Sequence, residues 1–247
     1  MRLLQVLSKS QLSKVELFQD GNVKVIKKSC RLFGQHEKEL RLLQLLNHVQ
    51  IYGCGHDQHD GFYILMEYVE GGDYLECVSN RNKCFNMWEA MHIIYQVLHD
   101  LQYLRDVGYF HGDVTLENIL LHRTKGAILH DFEYCESLEV PLPISKRGKP
   151  HYVAPELSKP QLQGLQYDVC ACDIYSLGKC LLYLCFKDMR VQDLNLAPDA
   201  LQVLLRGMLN EHWEQRFTLD TCMEYIERLS EPQRFYLVPA SQICLSK

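Results

Sequence analysis

Two hydrophobic rhythms divide this chain. Over roughly the first third, apolar and polar residues alternate in short runs, the period-2 signature of half-buried strands. "SKVELF" and "NVKVIKKS" flank "QDGN", and Asp20-Gly21 is a dipeptide that favours a tight hairpin turn. The pattern returns at "VQIYGCGHD" and "GFYILMEYV", joined through Asp60-Gly61. His56 and His59 in that second turn read as a solvated hairpin tip rather than a metal pair. Between the hairpins the period lengthens. Glu39, Leu42, Leu43 and Leu46 fall at i, i+3, i+4 and i+7, which predicts a helix over 35–47 with one buried face. A carboxylate on that face needs a cationic partner, because an unpaired buried charge costs several kcal/mol.

Beyond the second hairpin the helical period takes over. Met91, Ile94, Tyr95, Leu98 and Leu101 make one stripe. Segment 173–186, "DIYSLGKCLLYLCF", is apolar nearly all round, as a central buried helix would be. Cys180 and Cys185 within it read as packing residues. Segments 200–209 and 218–229 are amphipathic, the second with a stripe of Cys222, Tyr225, Ile226 and Leu229. "EVPLPISKRGKPHYVAPELSKP" carries five prolines and reads as a long loop. Residues 231–247 show no clear pattern, and no internal repeat is visible.

Composition narrows the class. The chain has 247 residues and 47% hydrophobic content, ample for a packed core in one large domain or two lobes. A net charge of −5 argues against a nucleic-acid binder in bulk. No unbroken apolar run approaches the roughly 18 residues of a membrane span, so no membrane span is expected. The start "MRLLQVLSKS" holds too short an apolar block for a signal peptide. Eleven cysteines, an odd number at irregular spacing, point to reduced thiols in a cytoplasmic setting. Cys170-x-Cys172 lacks a second pair at zinc spacing.

Candidate chemistry begins at "YFHGDVTLENILL", where Asp113 and Asn118 stand five positions apart in a polar stretch between apolar flanks. Taken singly, these residues are ordinary. Asp and Asn are good turn formers, a lone strand lysine faces solvent, and Glu156 and Arg216 are plausible surface ions. Their order along the chain gives them a joint meaning. "KVIK" is followed by Glu39 ahead of "LLQLLNH", then "MEYVEGGD", "HGDVTLEN", "HDFEY", "YVAPE" and "QRFT". This ordered set resembles the eukaryotic protein kinase family over residues from about 7 to 229.

The resemblance implies an α+β, bilobal fold in a single kinase domain over 1–247. A strand-rich N-lobe with one helix would cover about 1–67, a hinge about 67–73, a mainly helical C-lobe about 74–230, and a tail 231–247. It implies that Lys27 is the strand lysine that pairs Glu39 and reaches the α- and β-phosphates of ATP. Met66 matches the gatekeeper, and the backbone of Glu67 to Val69 the hinge that reads adenine. Asp73 matches a ribose contact, and Leu7, Val15, Val25 and Leu120 the apolar walls of the adenine slot. Asp113 matches the catalytic aspartate that orients the acceptor hydroxyl and takes its proton. Asn118 and Asp131 match the ligands of Mg²⁺, with Mn²⁺ an alternative. Both are hard oxygen donors, suited to a cation that assists phosphoryl transfer. Phe132 matches the packing residue beside Asp131, Glu156 and Arg216 a structural bridge, and Asp173 a residue that holds the catalytic-loop backbone.

Five departures qualify the match. Where the family carries three phosphate-loop glycines, "SKSQLSKV" has Ser8, Ser10 and Ser13 ahead of Val15. Serine resists φ > 0 and close approach to phosphates. The loop should be stiffer or held further from nucleotide, so Ser10→Gly should raise nucleotide affinity. Gly112 replaces an arginine that clamps activation-loop phosphate in regulated members, so gating of that kind is not expected even though Ser137 and Ser145 are available for modification. Thr115 and Lys149 exchange the family's Lys and Thr, which suggests that Lys149 returns from the loop the charge Thr115 lacks. Alternatively Lys149 belongs to a solvated basic patch with Lys146 and Arg147. Glu133 replaces a glycine after Asp131-Phe132, adding a carboxylate that either ligates a second cation or points to solvent. Segment 187–198 is short for the family, so a substrate-docking helix is expected to be reduced there.

Three functions fit these residues. One is a divergent ATP- and Mg²⁺-dependent kinase acting on protein hydroxyls, with Ser/Thr ahead of Tyr. Another is a pseudokinase scaffold or decoy. The third, transfer to a small-molecule acceptor, is left open by the irregular substrate loop. Lys146, Arg147 and Lys149 near the expected acceptor site suggest an acidic or phosphorylated protein partner.

Overall fold

The computed structural model describes residues 1–81, 84–139, 149–158, 168–190, 194–195 and 197–230. The chain divides into two units, Met1–Glu70 with Asp131–Glu133, and Gly71–His130 with the residues from Tyr134 onward. The division falls inside the stretch expected to be a hinge.

The first unit is a five-stranded antiparallel sheet with one helix. Its strands are β1 (Arg2–Lys9), β2 (Ser13–Asp20), β3 (Val23–Cys30), β4 (Ile51–Asp57) and β5 (Gly61–Glu67), in the order β1-β2-β3-β5-β4. The turns are where the sequence placed them. Gly21 sits at φ +56° between β2 and β3, a conformation that favours glycine. At the β4–β5 turn Asp57 Oδ1 accepts the N–H groups of His59 at 2.8 Å and Asp60 at 3.2 Å. The helix α1 (Phe33–Leu46) ends on Asn47 in the left-handed region at φ 50°, one of the few non-glycine residues that adopts it readily. His36, Glu39, Leu42 and Leu43 are its buried face.

Strand β1 was not apparent from the alternation. Leu3, Leu4, Val6 and Leu7 put apolar groups on both faces of this edge strand, and all are 40–49% exposed. Its pairing with β2 slips between Leu3 and Gln5 and again between Val6 and Ser8, so Leu7 stands at an irregularity.

The second unit is mainly helical: α2 (Tyr74–Asn80), α3 (Met87–Asp106), α4 (Pro155–Ser158), α5 (Val169–Phe186), α6 (Asp199–Met208) and α7 (Leu219–Ser230). Short strands β6 (Tyr109–Phe110) and β9 (Glu136–Ser137) pair with each other, as do β7 (Ile119–His122) and β8 (Gly126–Leu129). Helix α3 opens with a reciprocal cap. Asn86 Oδ1 accepts the N–H groups of Trp88 and Glu89, both at 3.0 Å, while Glu89 Oε2 accepts the Asn86 N–H at 2.9 Å. Met91, Ile94, Leu98 and Leu101 of its stripe are buried, and Tyr95 directs its hydroxyl to Glu227 at 2.5 Å.

Helix α5 starts four residues before the expected Asp173, because Asp168 caps it by accepting the Cys170 N–H at 2.9 Å. With those residues added, α5 is long and apolar enough to cross a membrane by length and composition alone. Asp173 and Lys179 interrupt its apolar run without polarising the helix, so unbroken runs do not single it out. More than half of it is buried inside the protein. The expected basic patch residues Lys146 and Arg147, Ser145, the tail 231–247 and parts of segment 187–198 lie outside the described residues.

Candidate active site

In the first unit, a single buried ammonium is held between two carboxylates. Lys28 Nζ donates to Glu39 Oε1 at 2.6 Å and to Asp131 Oδ1 at 2.5 Å. The Lys28 and Glu39 side chains are 7% and 6% exposed. Burial works against the Lys28 charge, but the two carboxylates outweigh it and raise the lysine above its ordinary value. The site lysine is therefore Lys28, not the expected Lys27. Lys27 instead pairs Asp57 at 3.2 Å and lies 5.0 Å from the Tyr63 ring centre.

The cause is strand register. Val15 pairs Lys28, Leu17 pairs Ile26, and Ile26 pairs Met66, so all five share the sheet face that meets Glu39. Lys27 and Val25 occupy the other face, with Glu16 and Phe18 as partners. A slip of one residue moves every side chain to the opposite face. Val25, expected on the same wall as Val15, thus faces the other way, and Ile26 shares the face of Val15, Lys28 and Met66.

Asp131 itself adopts φ +66°, an uncommon conformation for a residue with a side chain. Phe132 beside it is 1% exposed. Glu133 is half-buried rather than fully solvated. Its carbonyl accepts from Lys38 at 3.4 Å, and its charge is close enough to act on Glu39. At the end of β5, Glu67 exchanges two hydrogen bonds with Gln50. Its N–H donates to the Gln50 carbonyl at 2.8 Å, and its carboxylate accepts the Gln50 N–H at 3.0 Å. Val69 is buried.

In the second unit, the loop 111–118 is fixed from several sides. Asn118 Nδ2 donates to the Asp113 carbonyl at 2.8 Å and to Asp113 Oδ2 at 2.9 Å. Both residues are buried. The Asp113 N–H donates to His111 Nδ1 at 3.2 Å. From α5, Asp173 accepts the N–H of His111 at 2.7 Å and of Gly112 at 2.9 Å. Burial pushes the Asp173 carboxyl up to about 7, against the opposing pull of those two bonds. Gly112 lies at φ +78°, and a Cβ there would come within 2.9 Å of the Tyr134 carbonyl and 3.2 Å of the Phe110 ring.

Thr115 is fully buried, and Lys149 Nζ stands 3.5 Å from its hydroxyl. The closer partner of Lys149 is Glu117, at 3.0 Å, whose other oxygen accepts from the Tyr152 hydroxyl at 3.1 Å. The structure thus brings Lys149 and Thr115 together. It also adds Glu117 and Tyr152, whose contacts nothing in the sequence pattern signalled. Asp73 caps α2 by accepting the Glu76 N–H at 2.8 Å, and its backbone bridges Leu120. Glu156 and Arg216 form a two-pronged pair at 2.6 and 3.0 Å, with both side chains fully buried.

A family model described as protein kinase domain matches residues 19–198. The chain belongs to that family. Among curated proteins it is 33% identical over 123 residues to serine/threonine-protein kinase PLK4 of Xenopus tropicalis, covering 49% of this chain and 12% of the relative. The Xenopus laevis counterpart gives the same identity and coverage. It is 30% identical over 168 residues to human testis-specific serine/threonine-protein kinase 1, covering 64% of this chain and 44% of that protein. The chain therefore spans less than half the length of these relatives.

Proposed function

We propose that this chain is a working, divergent protein kinase that transfers the γ-phosphoryl group of ATP to protein hydroxyls, serine or threonine ahead of tyrosine. The observation that carries this reading is Lys28 held between Glu39 and Asp131. An ammonium kept charged in a buried setting is suited to phosphate oxygens, and burial strengthens its field. Asp113 would orient the acceptor hydroxyl and take its proton. Asp131 and the amide oxygen of Asn118 are the donors suited to Mg²⁺ or Mn²⁺, which would neutralise charge on the phosphates. Leu7, Val15, Ile26 and Leu120 would wall the base, the backbone of Glu67 and Val69 would read its edge, and Asp73 would meet the ribose. Lys149 would add positive charge beside Thr115, near the acceptor, and favour an acidic or phosphorylated protein partner. The number and irregular spacing of the cysteines support a reducing, intracellular setting.

Gly112 cannot clamp a phosphate, so activity should not depend on activation-loop phosphorylation through that position. A second reading, a pseudokinase scaffold, is favoured by one observation: the hairpin at Ser10 closes on itself. Transfer from γ-labelled ATP to the chain itself and to generic acceptors, with Mg²⁺ or Mn²⁺, separates the two. Transfer that disappears in Asp113→Ala is expected. Transfer that is absent, or that survives this change, would favour the scaffold.

A further inference from the structure

The turn joining β1 to β2 is closed by one side chain. The Ser10 N–H donates to the Ser13 carbonyl at 2.8 Å. Ser10 Oγ accepts the N–H of Leu12 at 3.2 Å and of Ser13 at 2.9 Å, and lies 3.0 Å from Ser13 Oγ. The Leu12 carbonyl accepts the Arg31 N–H at 2.9 Å. No residue from 8 to 13 has positive φ, so this turn needs no glycine. A hydroxyl oxygen that gathers two neighbouring backbone N–H groups occupies donors that, in an anion-binding loop, would meet a phosphate oxygen.

We propose that Ser10 is a specificity-determining residue that keeps the Leu12 and Ser13 amides away from nucleotide phosphates. Recognition of the phosphates then falls on Lys28 and the metal, and the hairpin does little to distinguish ATP from a nucleoside without phosphates. This inference rests on the nucleotide-binding reading above. It explains how a hairpin with Ser8, Ser10 and Ser13 in place of glycines can remain ordered. The energetic comparison is direct. A neutral hydroxyl is a weaker acceptor for an N–H group than a charged phosphate oxygen, so releasing those donors should favour ATP and leave adenosine unaffected.

The test is calorimetric titration of ATP with Mg²⁺, and of adenosine, into the wild-type chain and its variants. Ser10→Gly is expected to tighten ATP about tenfold and leave adenosine within about twofold. Ser10→Ala, which removes the hydroxyl without adding backbone freedom, should tighten ATP in the same sense by a smaller factor. Ser10→Thr keeps the oxygen and should match the wild type for both ligands. Unchanged or weaker ATP binding by Ser10→Gly, with adenosine still bound, would overturn the role given to Ser10. Equal gains for ATP and adenosine would overturn it too. If neither ligand binds any of the proteins, the nucleotide-binding reading fails and this inference fails with it.

Discussion

The hairpin around Ser10 and the loop around Asp113 depart from the family pattern at glycine in opposite senses. The hairpin lacks glycine at 8, 10 and 13, and the loop has one at 112. The hairpin is exposed, and it replaces glycine's conformational freedom with a turn that needs no positive φ and a serine that binds its own backbone. The loop is mostly buried and has no such latitude. Its backbone is held at φ +78° by an acceptor from another element, Asp173, in space that a side chain would have to contest. Where water can serve as an alternative partner, local hydrogen bonds are enough to close the turn without glycine. Where it cannot, each donor must keep its acceptor.

That contrast gives a ranked set of effects. Asp173→Ala leaves the His111 and Gly112 N–H groups without their acceptor, and should lower unfolding free energy by roughly 2–4 kcal/mol in denaturant titration. A loss below about 1 kcal/mol would mean that the loop is not fixed from α5. Gly112→Ala should cost about 1–2 kcal/mol, from the left-handed backbone and the 2.9 Å approach to the Tyr134 carbonyl. A neutral result there would show that the loop relaxes as freely as the hairpin.

The pH dependence of stability is a finer probe of the same carboxylate. The Asp173 carboxyl is raised to about 7 in the folded protein, against about 3.9 unfolded. The folded state therefore holds the extra proton between those values. This contribution is fully present below about pH 4 and is lost as the pH rises through about 7. Its slope is at most about 1.4 kcal/mol per pH unit. Asp173→Asn should remove that slope from a stability-versus-pH series, and an unchanged slope would assign it to another group. Ser10→Ala should sit lowest, within about 0.5 kcal/mol, because its hydrogen bonds are exposed. A loss above 1 kcal/mol would put the hairpin and the loop in the same class.

Much of this arrangement was legible in the sequence, and the failures have specific physical causes. The hairpin dipeptides, the α1 face carrying Glu39 and the α3 stripe come from period, whereas Asp113, Asn118, Asp131, Asp173 and Arg216 are picked out by the resemblance of their motifs to the kinase family. Strand β1 was hidden because its apolar residues face both ways at an edge. The lysine was misplaced by one position because "IKK" offers two cations, and only the pairing of β3 with β2 and β5 decides which one faces α1. The Ser10 turn and the Lys149–Glu117–Tyr152 contacts are side-chain geometry, to which periodicity is blind. Glu133, read as ligating or solvent-facing, is half-buried with its carbonyl engaged by Lys38.

The central claim is that phosphoryl transfer depends on Lys28, held by Glu39 and Asp131, and not on the neighbouring Lys27. The direct measurement is transfer from γ-labelled ATP by Lys28→Met and Lys27→Met side by side, each checked for folding by its thermal transition. Lys28→Met should lose about 100-fold or more of the rate, while Lys27→Met, which breaks a partly exposed pair with Asp57, should stay within about twofold of the wild type. Equal losses in the two variants, or a loss confined to Lys27→Met, would contradict the account.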